Sequence, residues 1–131
     1  MEYLTEHDIK NINGTIQLAY GQVPSVRDAA ALDYIVQSAR QEVFGRRLYA
    51  TPERLAAFYF VKLVKKHVFN DANKRTAYLC ALLALKVNGL AITASSAQRD
   101  ALADVAIWLA QTDGETEKMI EQVANKIMAL I

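Results

Sequence analysis

The sequence offers little besides a hydrophobic core to hold a small protein together. Cys80 is the only cysteine, so no disulfide can form within the chain. Lysine and arginine number 15 against 14 acidic residues, and the formal net charge of +1 gives no bulk attraction to nucleic acid or to acidic membranes. Hydrophobic residues, however, make up 53% of the 131 positions. That share is enough for one domain to fold around a core of its own.

Segments that would direct the protein to a membrane are also missing. The N-terminus lacks the basic and apolar regions of a signal peptide. The longest apolar run, at 79–85, is much shorter than the roughly 20 residues that cross a bilayer as a helix. No linker, repeat or low-complexity stretch divides the chain. We therefore expect a single domain over residues 1–131, located in the cytoplasm, with neither membrane nor nucleic acid as a direct partner.

Helix signals recur along the chain, whereas strand signals are almost absent. Recognisable N-terminal caps open three of the helices: Thr5 with Asp8, Thr51 with Pro52, and Ser95 with Gln98. A second helix is expected at about 28–42. The stretch 76–88 is apolar on nearly every side, which predicts that its helix is the central one. The sequence thus predicts an all-α bundle of about six helices, and the less regular segment 43–50 is compatible with a short flap hairpin.

Polar chemistry is concentrated in the run HVFNDANKRT, which joins the helix opened at Thr51 to the apolar one. The apolar spacing of the first helix places His67 at its far end. Lys74 and Arg75 fall at the start of the second, where free N–H groups and the helix dipole favour an anion such as a polyphosphate. Asp71 offers a hard oxygen ligand for a Mg²⁺ that shares phosphate oxygens. An imidazole, with an ordinary pKa of about 6.5, suits a general base.

Single residues of this run also have plain structural interpretations. His67 can cap the end of its helix, and Asn70 or Asp71 can be the N-cap of the next one. Phe69 is expected to anchor the loop in the core. Two cations in a first helical turn oppose the helix dipole, so a purely structural role suits them poorly. Phosphoryl or nucleotidyl transfer, which needs positioning and charge stabilisation, accounts for all of these residues together.

The run from 67 to 75 closely resembles the signature of the Fic superfamily. It is most similar to the death-on-curing branch, in which alanine and lysine replace two glycines. Leu32, together with the segments 26–28 and 38–39, also looks like that branch, and the resemblance extends to about Gly89. It implies an all-α Fic fold, ATP, Mg²⁺ and a protein hydroxyl group as the acceptor.

By position, the resemblance also implies a role for each residue of the run. His67 would be the catalytic base, Asp71 the metal ligand, and Asn73, Lys74 and Arg75 the phosphate ligands. The implied protein is a toxin that phosphorylates a serine or threonine of a translation factor, elongation factor Tu. Its implied partner is a cognate antitoxin whose C-terminal segment blocks the site.

Two departures from the family pattern bear on the reaction. Adenylylating members carry glycine where this chain has Lys74, and a second arginine where it has Tyr78. Both positions bind ATP in the orientation that exposes the α-phosphate, so these replacements favour a flipped nucleotide that presents its γ-phosphate. Kinase activity therefore ranks above AMP transfer. A non-catalytic nucleotide-binding module ranks third, because such a relic would be expected to lose His67 or Asp71 first.

Some relatives inhibit themselves through a helix that carries serine or threonine and, four residues later, glutamate. Ser38 and Glu42 match this motif only partly, because valine follows the glutamate. Inhibition by a separate antitoxin chain is therefore the better expectation.

Overall fold

The computed structural model describes residues 1–90, 92 and 95–131. Within these ranges the chain forms six helices and one hairpin: α1 (Glu6–Ala19), α2 (Ala29–Ser38), β1 (Glu42–Val43), β2 (Arg46–Arg47), α3 (Pro52–Lys65), α4 (Asn73–Val87), α5 (Ser96–Gln111) and α6 (Glu117–Met128). The predicted all-α bundle is confirmed, and the flap segment does form a two-stranded antiparallel hairpin. None of the helices in the described part of the chain is long and apolar enough to cross a membrane.

Side-chain caps open the helices where the sequence predicts them. Thr5 with Asp8 and Ser95 with Gln98 both form reciprocal capping boxes, at the starts of α1 and α5. Thr51 caps α3 by accepting a hydrogen bond from the backbone of its first turn, directly before the proline. These starts are predictable because each cap involves residues only three positions apart.

The second helix ends earlier than predicted. It stops at Ser38, and Glu42 already pairs with Arg47 in the hairpin. The turn between the strands contains Phe44 and Gly45, both with positive φ, at 52° and 76°. This tight turn brings the two strands into antiparallel register. Ser38 and Glu42 consequently do not share a helix face, which removes the spacing that the self-inhibitory motif requires.

The most deeply buried helix is α3, not α4 as predicted. Every residue from 55 to 64 is buried, because α3 packs against α2, α4, α5 and α6. On α4, by contrast, Leu79, Leu82 and Leu83 are only partly buried. Its fully buried positions are mostly small residues such as Cys80. An apolar sequence therefore did not identify the central helix, since burial depends on how many other elements pack around it.

A charge cluster fixes the end of α3. The Glu115 Oε1 atom, in the connection between α5 and α6, lies 2.8 Å from Nζ of both Lys62 and Lys66. Burial alone would raise the pKa of Glu115, but the hydrogen bonds from the two lysines outweigh it and lower that pKa. The Lys62 side chain is only 9% exposed, so it depends on this partner. The cluster holds the last turn of α3 directly before His67.

Replacing Glu115 with glutamine is expected to lower the free energy of unfolding at neutral pH by about 1–3 kcal/mol, because Lys62 loses its anionic partner. The folded-state pKa of Glu115 is lowered. Its contribution is therefore complete above the unfolded-state pKa of about 4.3 and is lost as the pH falls through the folded-state value. Denaturant titrations of wild type and variant should converge in acid. Glu121→Gln, at an exposed position of α6, is the matched control, and a gap independent of pH would argue against this role.

Candidate active site

The predicted site residues line one cavity where α3 connects to α4. The cavity has a volume of about 290 Å³, and Ala110 of α5 and Val64 of α3 contribute to its wall. All five predicted residues lie on that wall: His67, Asp71, Asn73, Lys74 and Arg75. Residues that are neighbours in sequence are necessarily close in space. The structure adds that these residues line a concave surface, one wall of which comes from the distant helix α5.

His67 lies outside α3 rather than on the last turn of its apolar stripe. The helix ends at Lys65, Lys66 occupies the C-cap position, and His67 has a left-handed φ of 48°. Arg27 holds this turn through two hydrogen bonds. Its Nε atom donates to the His67 carbonyl oxygen at 2.9 Å, and its backbone N–H donates to the Val68 carbonyl oxygen at 2.8 Å. His67 thus directly follows the C-cap in the left-handed conformation with which many helices end, so the interpretation of this residue as a helix cap applies to its backbone. Its imidazole is exposed at the cavity.

The loop after His67 is fastened to the segment that precedes α2. Val26 and Phe69 form an antiparallel bridge, and the Asp28 backbone N–H donates to the carbonyl oxygen of residue 68 at 3.0 Å. The Asn70 Nδ2 atom donates to Ser25 Oγ at 2.6 Å. Phe69 is only 2% exposed, so its predicted role as the core anchor of the loop is confirmed.

Asn73 shapes the loop with its own side chain. Its Oδ1 atom accepts from the Phe69 backbone N–H at 3.0 Å, and its Nδ2 atom donates to the Phe69 carbonyl oxygen at 2.9 Å. The amide thus bridges both backbone groups of one residue. In this conformation the Asn73 side chain holds the loop. Asn73 would therefore contact a phosphate through its backbone at the start of α4 and not through its side chain.

The first turn of α4 has no side-chain cap. Ala72 is at the N-cap position with a left-handed φ of 62°, and its side chain has no acceptor. The interpretation of Asn70 or Asp71 as the N-cap is therefore wrong. The backbone N–H groups of this turn are available at the cavity, beside the exposed side chains of Lys74 and Arg75. Such a helix start with two cations suits a phosphate group.

The Asp71 carboxylate is hydrogen-bonded through both oxygens. Its Oδ1 atom accepts from the Ala72 backbone N–H at 2.7 Å, and its Oδ2 atom accepts from Gln22 Nε2 at 2.6 Å. The backbone donor first and Gln22 second lower the pKa of Asp71, which keeps it ionised. The described residues contain no group of three acidic, histidine or cysteine side chains that could hold a metal. A Mg²⁺ at Asp71 would need its remaining ligands from phosphate oxygens and water.

The Arg75 guanidinium is paired with an aromatic side chain. It donates a hydrogen bond to the Tyr20 hydroxyl, and it lies 5.5 Å from the centroid of that ring. These contacts raise the pKa of Arg75, and Tyr78 adds a smaller effect in the same direction. Arginine presents five N–H donors, so most of them stay available for an incoming anion.

Sequence reasoning missed a buried polar group behind the site. The Asn13 Nδ2 atom donates to the Asp71 carbonyl oxygen and to Thr76 Oγ1, both at 3.0 Å, and Gln17 Nε2 donates to Asn13 Oδ1. Asn13, Gln17 and Thr76 are each at most 2% exposed. The available signal was a pair of amides, four residues apart, on the otherwise apolar face of α1. They hold the backbone that carries the Asp71 side chain.

The sequence of this chain is similar to those of known proteins. The profile of the Fic/DOC family matches residues 3–85, which include α1 to α3 and most of α4. The protein kinase doc of Escherichia phage P1 is 29% identical over 92 residues, or 70% of this chain and 72% of the phage protein. The toxin Doc of Mycolicibacterium smegmatis is 32% identical over 93 residues, or 71% of this chain and 69% of its own length.

Proposed function

Because this chain belongs to the Fic/DOC family, we propose that it is a toxin that transfers the γ-phosphoryl group of ATP to a serine or threonine hydroxyl of a protein. Family membership supports the broader class, a nucleotide-dependent transferase that modifies proteins. The names of the two relatives, a protein kinase and a toxin, support the narrower one. The observation that carries the proposal is the shared cavity, in which an exposed imidazole faces the same space as the cationic start of α4.

The side chains suit the steps of such a transfer. The His67 imidazole takes the proton of the acceptor hydroxyl as its oxygen forms a bond to the γ-phosphorus. The bond between that phosphorus and the bridging oxygen breaks, and ADP leaves. Lys74, Arg75 and the free N–H groups of α4 stabilise the charge on the phosphate oxygens. A Mg²⁺ held by Asp71 would neutralise part of the phosphate charge when bound.

Transfer of the γ-phosphoryl group is proposed over AMP transfer because of two side chains. Lys74 adds bulk and a charge where AMP-transferring relatives have glycine. Tyr78 stands where they have a second arginine, and here it lies near Arg75. An adenylyltransferase remains the alternative reaction. A binding module without catalysis is the third candidate, and the presence of both His67 and Asp71 opposes it.

The position of the radiolabel separates the two reactions. Incubation of the protein with purified elongation factor Tu and ATP is expected to label the factor from the γ-position and not from the α-position. Intact mass should show the gain of one phosphate. The double variant Lys74→Gly with Tyr78→Arg should phosphorylate more weakly and gain some AMP transfer. Label that arrives from the α-phosphate alone, in the wild-type protein, would show that the chain is an adenylyltransferase.

We also propose a protein partner for this chain. A toxin of this kind requires a cognate antitoxin, and we place the C-terminal segment of that antitoxin over the active site. A translation factor as the target places the reaction in the cytoplasm.

A further inference from the structure

The connection between α1 and α2 supplies two contacts to the site from outside the motif. Tyr20 pairs with Arg75, and Gln22 pairs with Asp71. We propose that Tyr20 and Gln22 are positioning residues, which orient the phosphate-binding arginine and the metal-binding carboxylate respectively. This inference rests on the proposed function, because it assigns a purpose to the orientation of those two groups.

The backbone after α1 is built to present both side chains. Tyr20 is the C-cap residue, and Gly21 follows with a left-handed φ of 71°. The Gln22 N–H donates to the Gln17 carbonyl oxygen at 2.8 Å, and the Gly21 N–H to that of Leu18 at 3.0 Å. This pair of bonds is a Schellman motif, which reverses the chain after a helix. Because the reversal is hydrogen-bonded, the side chains on either side of Gly21 have defined positions.

Tyr20 and Gln22 line a second cavity, of about 440 Å³, beside the first. It is lined by Ile16, Tyr20, Gln22, Asp71, Ala72 and Arg75. Asp71, Ala72 and Arg75 belong to the walls of both cavities, whereas His67 lines only the first and Tyr20 and Gln22 only the second. The two positioning contacts therefore leave the first cavity free for the nucleotide.

Gln22 can orient Asp71 without neutralising it. Gln22 donates to one carboxylate oxygen of Asp71 and the Ala72 backbone N–H donates to the other. Two such bonds fix the plane of the carboxylate. Each oxygen still has a lone pair for a cation. A lysine in place of Gln22 would form an ion pair that competes with Mg²⁺, whereas a neutral amide leaves the full negative charge in place.

Tyr20 likewise orients Arg75 without neutralising its charge. Its hydroxyl is an uncharged acceptor and its ring lies beside the guanidinium, so the positive charge is oriented but not cancelled. A carboxylate at position 20 would satisfy the arginine and weaken its hold on phosphate. Tyr20 is 64% exposed, so its ring is not a core residue whose loss would unfold the protein.

The test measures ATP affinity by calorimetry, once in EDTA and once in MgCl₂. Gln22→Leu is expected to leave metal-free affinity unchanged and to reduce the gain from Mg²⁺, relative to wild type, by about tenfold. Tyr20→Phe keeps the ring and removes the hydroxyl. It is expected to weaken metal-free binding of ATP and of inorganic tripolyphosphate by roughly threefold to tenfold, with the gain from Mg²⁺ unchanged. Val23→Ala, at a position 84% exposed in the same connection, is the control without effect.

A purely structural role would not confine the effect of Gln22→Leu to the gain from Mg²⁺ and the effect of Tyr20→Phe to metal-free binding. Equal losses in both quantities for both variants, together with a lower melting temperature, would overturn the inference in favour of a role in stability. Unchanged affinities in both variants would overturn it directly. If the wild-type protein bound neither ATP nor tripolyphosphate, the nucleotide site itself would be refuted, and the inference with it.

Discussion

Replacement of His67 by alanine is expected to abolish growth inhibition in cells that lack the antitoxin, and to lower the rate of phosphoryl transfer by about 10²–10⁴-fold, the usual contribution of a general base. The fold should persist for two reasons. The imidazole is exposed, and the contact that holds this residue in place runs through its backbone carbonyl oxygen to Arg27. Alanine and histidine both carry a Cβ atom, so the left-handed backbone at 67 is no more strained in the variant.

The chain supplies its own control for this experiment. His7, the other histidine, is exposed on α1, and its imidazole is hydrogen-bonded to Asn11 of the same helix. His7→Ala should keep both toxicity and transfer. Growth is compared at matched expression, and the transfer rate is measured with ATP labelled at the γ-position. Toxicity of the His67 variant equal to that of wild type would exclude the catalytic role.

Replacement of Asp71 by asparagine is expected to lower transfer by about 100-fold or more, because even the partners of a metal ligand commonly contribute about 10- to 100-fold. The exchange is nearly isosteric. An asparagine Oδ1 atom can still accept from the Ala72 backbone N–H, and its Nδ2 atom can donate to Gln22 once the Gln22 amide is turned over. The side chain does not cap α4. The loss should therefore come from the missing charge, and the concentration of Mg²⁺ needed for half-maximal rate should rise.

Asp33→Asn is the matched control, since Asp33 is an exposed aspartate on α2 that does not line the cavity. Both variants should melt at the wild-type temperature. An Asp71 variant with normal rate and normal Mg²⁺ dependence would show that the carboxylate serves only the local structure of the loop.

What the sequence determined by itself was local. The caps at Thr5, Thr51 and Ser95 set the helix starts, since each is a contact between residues within one helical turn. The run from 67 to 75 was recognisable because its residues are contiguous. For the same reason, their common position at the junction of two helices followed from the order of the chain.

The tertiary structure decided everything that depends on distant partners. It made α3 rather than α4 the central helix, because four other helices pack around it. It turned His67 out of the helix through Arg27, 40 residues away in the chain. It also placed Gln22 on Asp71 and Asn13 on Thr76, across 49 and 63 residues. A polar side chain in a sequence shows that it needs a partner, but only the packing of helices determines which partner comes within hydrogen-bond distance.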